Sequence, residues 1–219
     1  MARRDFLVVS GSFSIAVAAG VARPGKAECG DDIKSDYPVS KGYILVDTRK
    51  CQGCLTCMLA CSLANDGRVN LSLSRIQVMQ NPFGKFPHDI SVEQCRQCVE
   101  PKCVESCPTE AIVFDKEHGN IRTIDYGLCV GCLDCIPACQ HQPSRAIWNF
   151  EDDRAEKCDL CAGAKHWKKG GPGGKQACIE VCPVNAIRFE NEVPVQEGDA
   201  GYKVNLRGEA WGKLGYPTD

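Results

Sequence analysis

Sixteen of the seventeen cysteines in this 219-residue chain fall into four groups of four. The groups are Cys51, Cys54, Cys57 and Cys61; Cys95, Cys98, Cys103 and Cys107; Cys129, Cys132, Cys135 and Cys139; and Cys158, Cys161, Cys178 and Cys182. Only Cys29 is left over. The first group, Cys51-Gln52-Gly53-Cys54-Leu55-Thr56-Cys57-Met58-Leu59-Ala60-Cys61, has the spacing C-x2-C-x2-C-x3-C, and the third repeats it. Gaps of two residues let three thiolates converge on three corners of one small iron-sulfur cube. A fourth cysteine three residues on sits on the next helical turn and points to a different cube. The sequence reads as an electron carrier built on [4Fe-4S] clusters.

Four-cysteine sites with C-x2-C pairs also bind structural zinc. Zinc pairs usually have a longer spacer, however, and here C-P follows the last cysteine of two groups, at Cys107-Pro108 and Cys182-Pro183. A disulfide framework suits small chains with scattered cysteines better than four regular groups. Gly53 has two readings. Its missing Cβ lets backbone N–H groups approach cluster sulfurs, or it is a plain turn glycine. The formal net charge of -2 argues against a nucleic-acid surface and leaves protein partners open.

The chain opens with Arg3-Arg4-Asp5-Phe6-Leu7, matching the twin-arginine export pattern R-R-x-F-L, followed by an apolar run from Val8 to Ala22. The run is shorter than the roughly 20 residues a spanning helix needs. Residues 1–27 are therefore read as a twin-arginine signal peptide or an N-terminal anchor, with small residues at Gly20 and Ala22 or at Gly25 and Ala27 as candidate cleavage positions. Clusters are assembled in the cytoplasm, so export of an already folded protein to the periplasm fits. Cys29 lacks the small apolar residues of a lipoprotein site before it and reads as unliganded. Residues 28–41 read as a linker.

Strands are expected at Tyr43 to Val46 and at Arg75 to Met79, with a breaker-rich loop at 81–87. An internal repeat defines the architecture. Leu45-Val46-Asp47 before the first group matches Thr123-Ile124-Asp125 before the third. Cys107-Pro108-Thr109-Glu110-Ala111-Ile112-Val113-Phe114 matches Cys182-Pro183-Val184-Asn185-Ala186-Ile187-Arg188-Phe189. The repeat predicts an α+β fold of two tandem ferredoxin-like modules over residues 42–190. A hairpin turn at Glu117-His118-Gly119-Asn120 joins the first copy to the second.

His118, His141 and His166 read as solvated or tuning residues, since thiolates fill every ligand position. The basic, glycine-rich excursion between Cys161 and Cys178 reads as a solvated loop, or as a docking surface anchored by Trp167. Residues 191–219 read as an extended tail whose Tyr202, Trp211 and Tyr216 would wrap a neighbouring subunit.

From about Gly42 to Phe189, the groups and spacings resemble the four-cluster iron-sulfur subunits of molybdenum and tungsten enzymes. Subunits of dimethyl sulfoxide reductase, formate dehydrogenase, and thiosulfate or tetrathionate reductase belong to this family. Pro143-Ser144-Arg145-Ala146-Ile147-Trp148-Asn149 is also similar to ferredoxin subunits of tungsten aldehyde oxidoreductases. The twin-arginine start resembles subunits serving nitrite reduction or hydrogenases. Cys139 is followed by Gln140 where a proline is usual, and the sulfur spacing is unaffected.

The resemblance implies four [4Fe-4S] clusters, because Cys132 stands where three-iron relatives carry tryptophan. It also implies crossed ligation. Cys51, Cys54 and Cys57 would share a cube with Cys182; Cys158, Cys161 and Cys178 with Cys61; Cys95, Cys98 and Cys103 with Cys139; and Cys129, Cys132 and Cys135 with Cys107. The implied role is relay of single electrons, with no catalytic residues, between a molybdenum or tungsten catalytic subunit and a membrane quinone-reactive or cytochrome subunit. A freely diffusing periplasmic polyferredoxin is the alternative.

Overall fold

The computed structural model describes residues 36–215 and Thr218. The twin-arginine segment, its cleavage positions and Cys29 lie outside the described residues. The elements, in order, are β1 (Tyr43–Val46), α1 (Thr56–Asp66), a 3-10 turn at Leu71–Leu73, β2 (Ile76–Gln80), β3 (Ile90–Gln94), α2 (Lys102–Glu105), β4 (Ile112–Asp115), β5 (Ile121–Ile124), β6 (Ala146–Asn149), β7 (Arg154–Lys157), α3 (Ala177–Glu180), β8 (Ile187–Glu190) and α4 (Glu209–Lys213). Both expected strands form, the second shifted by one residue, and 81–87 carries no strand or helix.

The strands pair as four antiparallel two-stranded ladders, β1–β8, β2–β3, β4–β5 and β6–β7. The sequence repeat sets the first and third of these in one register. Val46 faces Ile187 as Ile124 faces Ile112, and Leu45 faces Arg188 as Thr123 faces Val113. The hydrogen bonds beyond the ladders repeat too: Asp47 donates its N–H to the Ala186 carbonyl at 2.9 Å, and Asp125 donates to Ala111 at 2.8 Å. The start of the first copy therefore pairs with the end of the second, and the reverse. The other two ladders are hairpins whose second strands, β3 and β7, run straight into the second and fourth cysteine groups.

Four-residue strands bury little surface each, so the core is completed by the cysteines themselves. Ile44, Val46, Ile76, Leu160 and Ile187 pack with Cys57, Cys61, Cys158 and Cys178 in one cluster. Full burial of such an aliphatic side chain contributes about 1.5–3 kcal/mol. The helix α1 carries Cys57 and Cys61 and stops at Gly67, whose φ of 69° permits a left-handed cap with its N–H on the Leu63 carbonyl at 3.0 Å. The third group makes no such helix, since Pro137 stands inside it and lacks the N–H that a helix interior requires.

The tail does not reach for a neighbour at Tyr202. That ring is buried beside Tyr43, with Arg96 stacked 4.3 Å from its centroid. Its hydroxyl donates to the Arg96 carbonyl at 2.7 Å, and its own carbonyl accepts from Val46 N–H at 3.0 Å. The tail fills the chain's own core because an aromatic ring with a satisfied hydroxyl gains more from burial than an extended segment in water does. The basic excursion is likewise folded back. Trp167 packs near Ala64 and Ala177 and donates its indole N–H to the Lys175 carbonyl at 2.7 Å, while His166 N–H reaches Ala64 of α1 at 2.9 Å. The described end of the linker also docks, with Tyr37 stacked 5.5 Å from Phe114 and Lys41 N–H on the Gly119 carbonyl.

Candidate metal centre

All four groups share one backbone device. The residue immediately before the second cysteine is left-handed: Gly53 at φ 65°, Gln97 at 50°, Gly131 at 71° and Leu160 at 55°. This tight reversal curls successive cysteines toward one point. Two of the four are glycine for a further reason. A Cβ on Gly131 would lie 2.5 Å from the Asp153 carbonyl oxygen, and one on Gly53 would lie 2.2 Å from the Gln80 amide nitrogen. The neighbouring hairpin approaches each turn too closely for a side chain.

The last cysteine of every group is held by a backbone N–H. Arg75 N–H donates to Cys61 Sγ at 3.3 Å, Ala111 to Cys107 at 3.3 Å, Arg145 to Cys139 at 3.3 Å and Ala186 to Cys182 at 3.2 Å. Such bonds favour the thiolate and tune a bound cluster.

Three cavities bring the last cysteine of one group beside three cysteines of another. One cavity is lined by Cys129, Cys132, Cys135 and Cys107, a second by Cys95, Cys98, Cys103 and Cys139, and a third by Cys158, Cys161, Cys178 and Cys61. Cys51, Cys54 and Cys57 stand together with Cys182: burial first, and then the neighbouring Cys182 and Cys54 thiolates, push the Cys51 thiol upward. Among the described residues, no three Cys, His, Asp or Glu side chains converge tightly enough for a single ion. None of the sixteen grouped cysteines is in a disulfide.

The centres are contiguous. Cys178 and Cys57 of the first set lie in one buried cluster. Gln97 bridges the fourth and second groups, its amide donating to the Cys158 carbonyl at 2.9 Å while its oxygen accepts from Arg122 N–H at 2.6 Å. Cys135 stands in the walls of both the first and the second cavity. Exposure follows the same order. Cys54 and Cys132 are exposed, whereas Cys158, Cys161 and Cys178 are buried.

Burial pushes Cys57, Cys103 and Cys161 up to about 12 and Cys135 to about 11, and holds Cys158 and Cys178 well above the usual thiol range. Thiols so placed are protonated at neutral pH unless a cation displaces the proton, which is the behaviour of metal-ligating cysteines. Cys54 differs, lowered first by the Thr56 hydroxyl 3.4 Å from its sulfur.

The histidines separate. His118 pairs with Asp115 at 2.7 Å in the β4–β5 turn, away from any thiol. His141 lines the second cavity, its Nε2 3.4 Å from Cys98 Sγ. Burial, then Arg145 and Arg96, hold its ring below the ordinary histidine value. Sequence reasoning missed the buried arginines. Arg75 has Asp159 at 3.1 Å and Glu156 at 3.7 Å, while Arg145 pairs with Glu93. A signal existed in the repeated Ser74-Arg75-Ile76 and Ser144-Arg145-Ala146, each opening a hairpin.

The donor set, at least four sulfurs per cavity with a backbone N–H on one of them, is that of iron-sulfur electron-transfer proteins. Residues 87–192 match the 4Fe-4S dicluster domain family. The chain is 34% identical over 194 residues to the NrfC homolog of Haemophilus influenzae, covering 85% of this chain and 78% of that relative. NrfC of Escherichia coli (strain K12) is 36% identical over 151 residues, 66% of this chain and 63% of its own. The formate dehydrogenase iron-sulfur subunit of Haemophilus influenzae is 30% identical over 163 residues, 66% of this chain and half of that subunit. The chain belongs to the family of the NrfC homolog, and is an iron-sulfur electron-transfer protein whose residues 87–192 carry the 4Fe-4S dicluster domain. No helix of the described residues is long and apolar enough to cross a membrane.

Proposed function

We propose that the chain relays single electrons through four [4Fe-4S] clusters, held by two tandem ferredoxin-like modules that exchange their last cysteines. Cys51, Cys54, Cys57 and Cys182 would hold one cluster; Cys158, Cys161, Cys178 and Cys61 a second; Cys95, Cys98, Cys103 and Cys139 a third; and Cys129, Cys132, Cys135 and Cys107 a fourth. The observation that carries this reading is the composition of the three cavities, each lined by three cysteines of one group and the last cysteine of another, with Cys135 shared between two of them. When bound, each cluster takes up and returns one electron at a potential set by net charge, hydrogen bonds to sulfur and burial.

The chain's own residues do the rest. The left-handed turns aim the thiolates, the four backbone N–H groups orient the exchanged sulfurs, and the aliphatic core keeps water from the inner sites. Contiguity through Cys57 and Cys178, then Gln97, then Cys135 supports a linear order with the sites of Cys54 and Cys132 outermost. Exposure of those two thiols suits them to meet partners. The name of the formate dehydrogenase iron-sulfur subunit favours a place in a multi-subunit oxidoreductase; the molybdenum or tungsten catalytic subunit at one end and the membrane quinone-reactive or cytochrome subunit at the other rest on the resemblance of the cysteine groups alone.

Export to the periplasm in folded form rests on Arg3 and Arg4. Replacing both by lysine retains the cluster-loaded protein in the cytoplasm, and periplasmic appearance of the double variant would refute this route. The cluster assignment is tested by iron and acid-labile sulfide in anaerobically isolated protein. About sixteen of each are expected, four per cube. About eight of each would leave two of the four sites without a cluster.

A further inference from the structure

The repeat supplies an internal control for the two inner sites. The cavity of Cys95, Cys98, Cys103 and Cys139 and that of Cys158, Cys161, Cys178 and Cys61 are built from equivalent positions, but not from equivalent charges. Where β1 places Ile44 in the wall of the latter, β5 places Arg122 in the wall of the former. Gln94, just before Cys95, donates to the Ile44 carbonyl at 2.9 Å; Lys157, just before Cys158, donates in the same way to the Arg122 carbonyl. Between the first two cysteines of each run stand Arg96 and Asp159, respectively. Arg75 and Arg145 are the positions the two sites have in common.

The result is a large difference in charge. Arg96, Arg122, Arg145 and Lys157 line the second-group cavity with no carboxylate in its wall, four positive charges in all. Arg75 and Asp159 line the fourth-group cavity and cancel. All four cations are buried. Arg96 has Asp199 and Arg145 has Glu93 nearby, but among the described residues no carboxylate pairs with Arg122 or Lys157. Arg122 meets the Phe114 ring and the carbonyls of Asn120 and Val99. The Nε atoms of Arg96, Arg122 and Arg145 are also buried without a hydrogen-bond partner. Buried cations without counter-ions are costly, and an anionic occupant of this cavity offsets that cost.

Resting on the cluster assignment above, we infer that Arg122 and Lys157 make the cluster of Cys95, Cys98, Cys103 and Cys139 the higher-potential member of the inner pair, where a relayed electron comes to rest. Reduction adds one electron and one negative charge, with no bond made or broken, so nearby fixed cations favour the reduced form. The neutral wall around the other inner site gives its cluster no such help.

The experiment is an anaerobic redox titration of the full-length, cluster-loaded protein followed by electron paramagnetic resonance, with signals assigned by Cys103→Ser and Cys178→Ser. Lys157→Gln installs the residue that the repeat itself uses at Gln94, keeping an amide donor for the backbone carbonyl. It should lower the reduced-to-oxidised ratio of the Cys103-sensitive signal at least tenfold at the wild-type midpoint, a shift of about 59 mV for one electron. Lys157→Arg should retain the wild-type value, and Gln94→Lys should raise the Cys178-sensitive signal. A Lys157→Gln midpoint unchanged within experimental error would overturn the inference while leaving the clusters in place. So would a wild-type protein in which the Cys178-sensitive signal is already the higher. Absence of any Cys103-sensitive signal from loaded wild-type protein would instead remove the cluster assignment, and this inference with it.

Discussion

Arg75 Nη1 and Asp159 Oδ2 lie 3.1 Å apart with both side chains buried, while the backbone N–H of the same arginine holds the Cys61 sulfur at 3.3 Å. Asp159 sits between Cys158 and Cys161, so one residue ties the exchanged cysteine to the turn of the group it joins. Arg145 does the equivalent across the repeat, holding Cys139 through its N–H and Glu93, two residues before Cys95, through its guanidinium. The nearness of Cys61 to the fourth group and of Cys139 to the second is thus built into the protein frame.

Removing Arg75 leaves Asp159 buried without its cation, while Glu156 keeps Arg154 at 3.4 Å. Breaking such a pair costs about 3–5 kcal/mol, which for a chain of this size lowers the unfolding midpoint by roughly 6–20 °C. Arg75→Ala should show that loss in anaerobic thermal unfolding. Arg68→Ala, which breaks the half-exposed pair with Glu151, should cost no more than about 1 kcal/mol. Equal effects from the two variants would mean that the buried pair holds nothing together.

The two glycine turns should respond differently to alanine. Both substitutions incur left-handed strain of about 1–2 kcal/mol. At Gly131 the new Cβ also strikes a backbone carbonyl, that of Asp153, whereas at Gly53 it meets the movable end of Gln80. Gly131→Ala should therefore be the more destabilising, and should lose iron from the Cys129 site first. Iron content and melting temperature of the paired variants measure this, and a more damaging Gly53→Ala would contradict it.

Much of this was legible in the sequence. The cysteine spacings supplied the groups, and the matched segments Leu45-Val46-Asp47 and Thr123-Ile124-Asp125 do lie in two ladders of one register, although the pairing of β1 with the distant β8 was not readable. The hairpin after Phe114 was readable from its turn residues. What could not be read were the contacts set by distant chain. Tyr202 lies 106 residues from the carbonyl its hydroxyl reaches, so no local pattern signals its burial. Trp167 looked free for the same reason, since the Ala64 and Ala177 against which it packs belong to separate helices. The buried cations were hidden because Lys157 and Arg122 resemble ordinary solvated charges on short strands. Only the fold turns them toward thiols.

Tyr202 provides a test of the tail. Its ring fills a space beside Tyr43 and Arg96, and truncation of a buried aromatic to alanine costs about 3–5 kcal/mol. Tyr202→Ala should destabilise the isolated chain by that amount in thermal unfolding, and Tyr202→Phe should lose only the hydroxyl's part, about 1–3 kcal/mol. An isolated chain indifferent to Tyr202→Ala would mean that the tail belongs on a partner after all.

The exchange of last cysteines is the central claim, and Cys61→Ser tests it most directly. Electron paramagnetic resonance of the reduced, cluster-loaded protein is compared for Cys61→Ser, Cys158→Ser and Cys51→Ser, whose wild-type sulfurs belong to two sites under this account. Cys61→Ser should perturb the signal that Cys158→Ser perturbs and leave the Cys51-sensitive signal intact, because Cys61 shares its cavity with Cys158, Cys161 and Cys178. A Cys61→Ser spectrum that matches Cys51→Ser instead would show that each group closes on itself and would contradict the account.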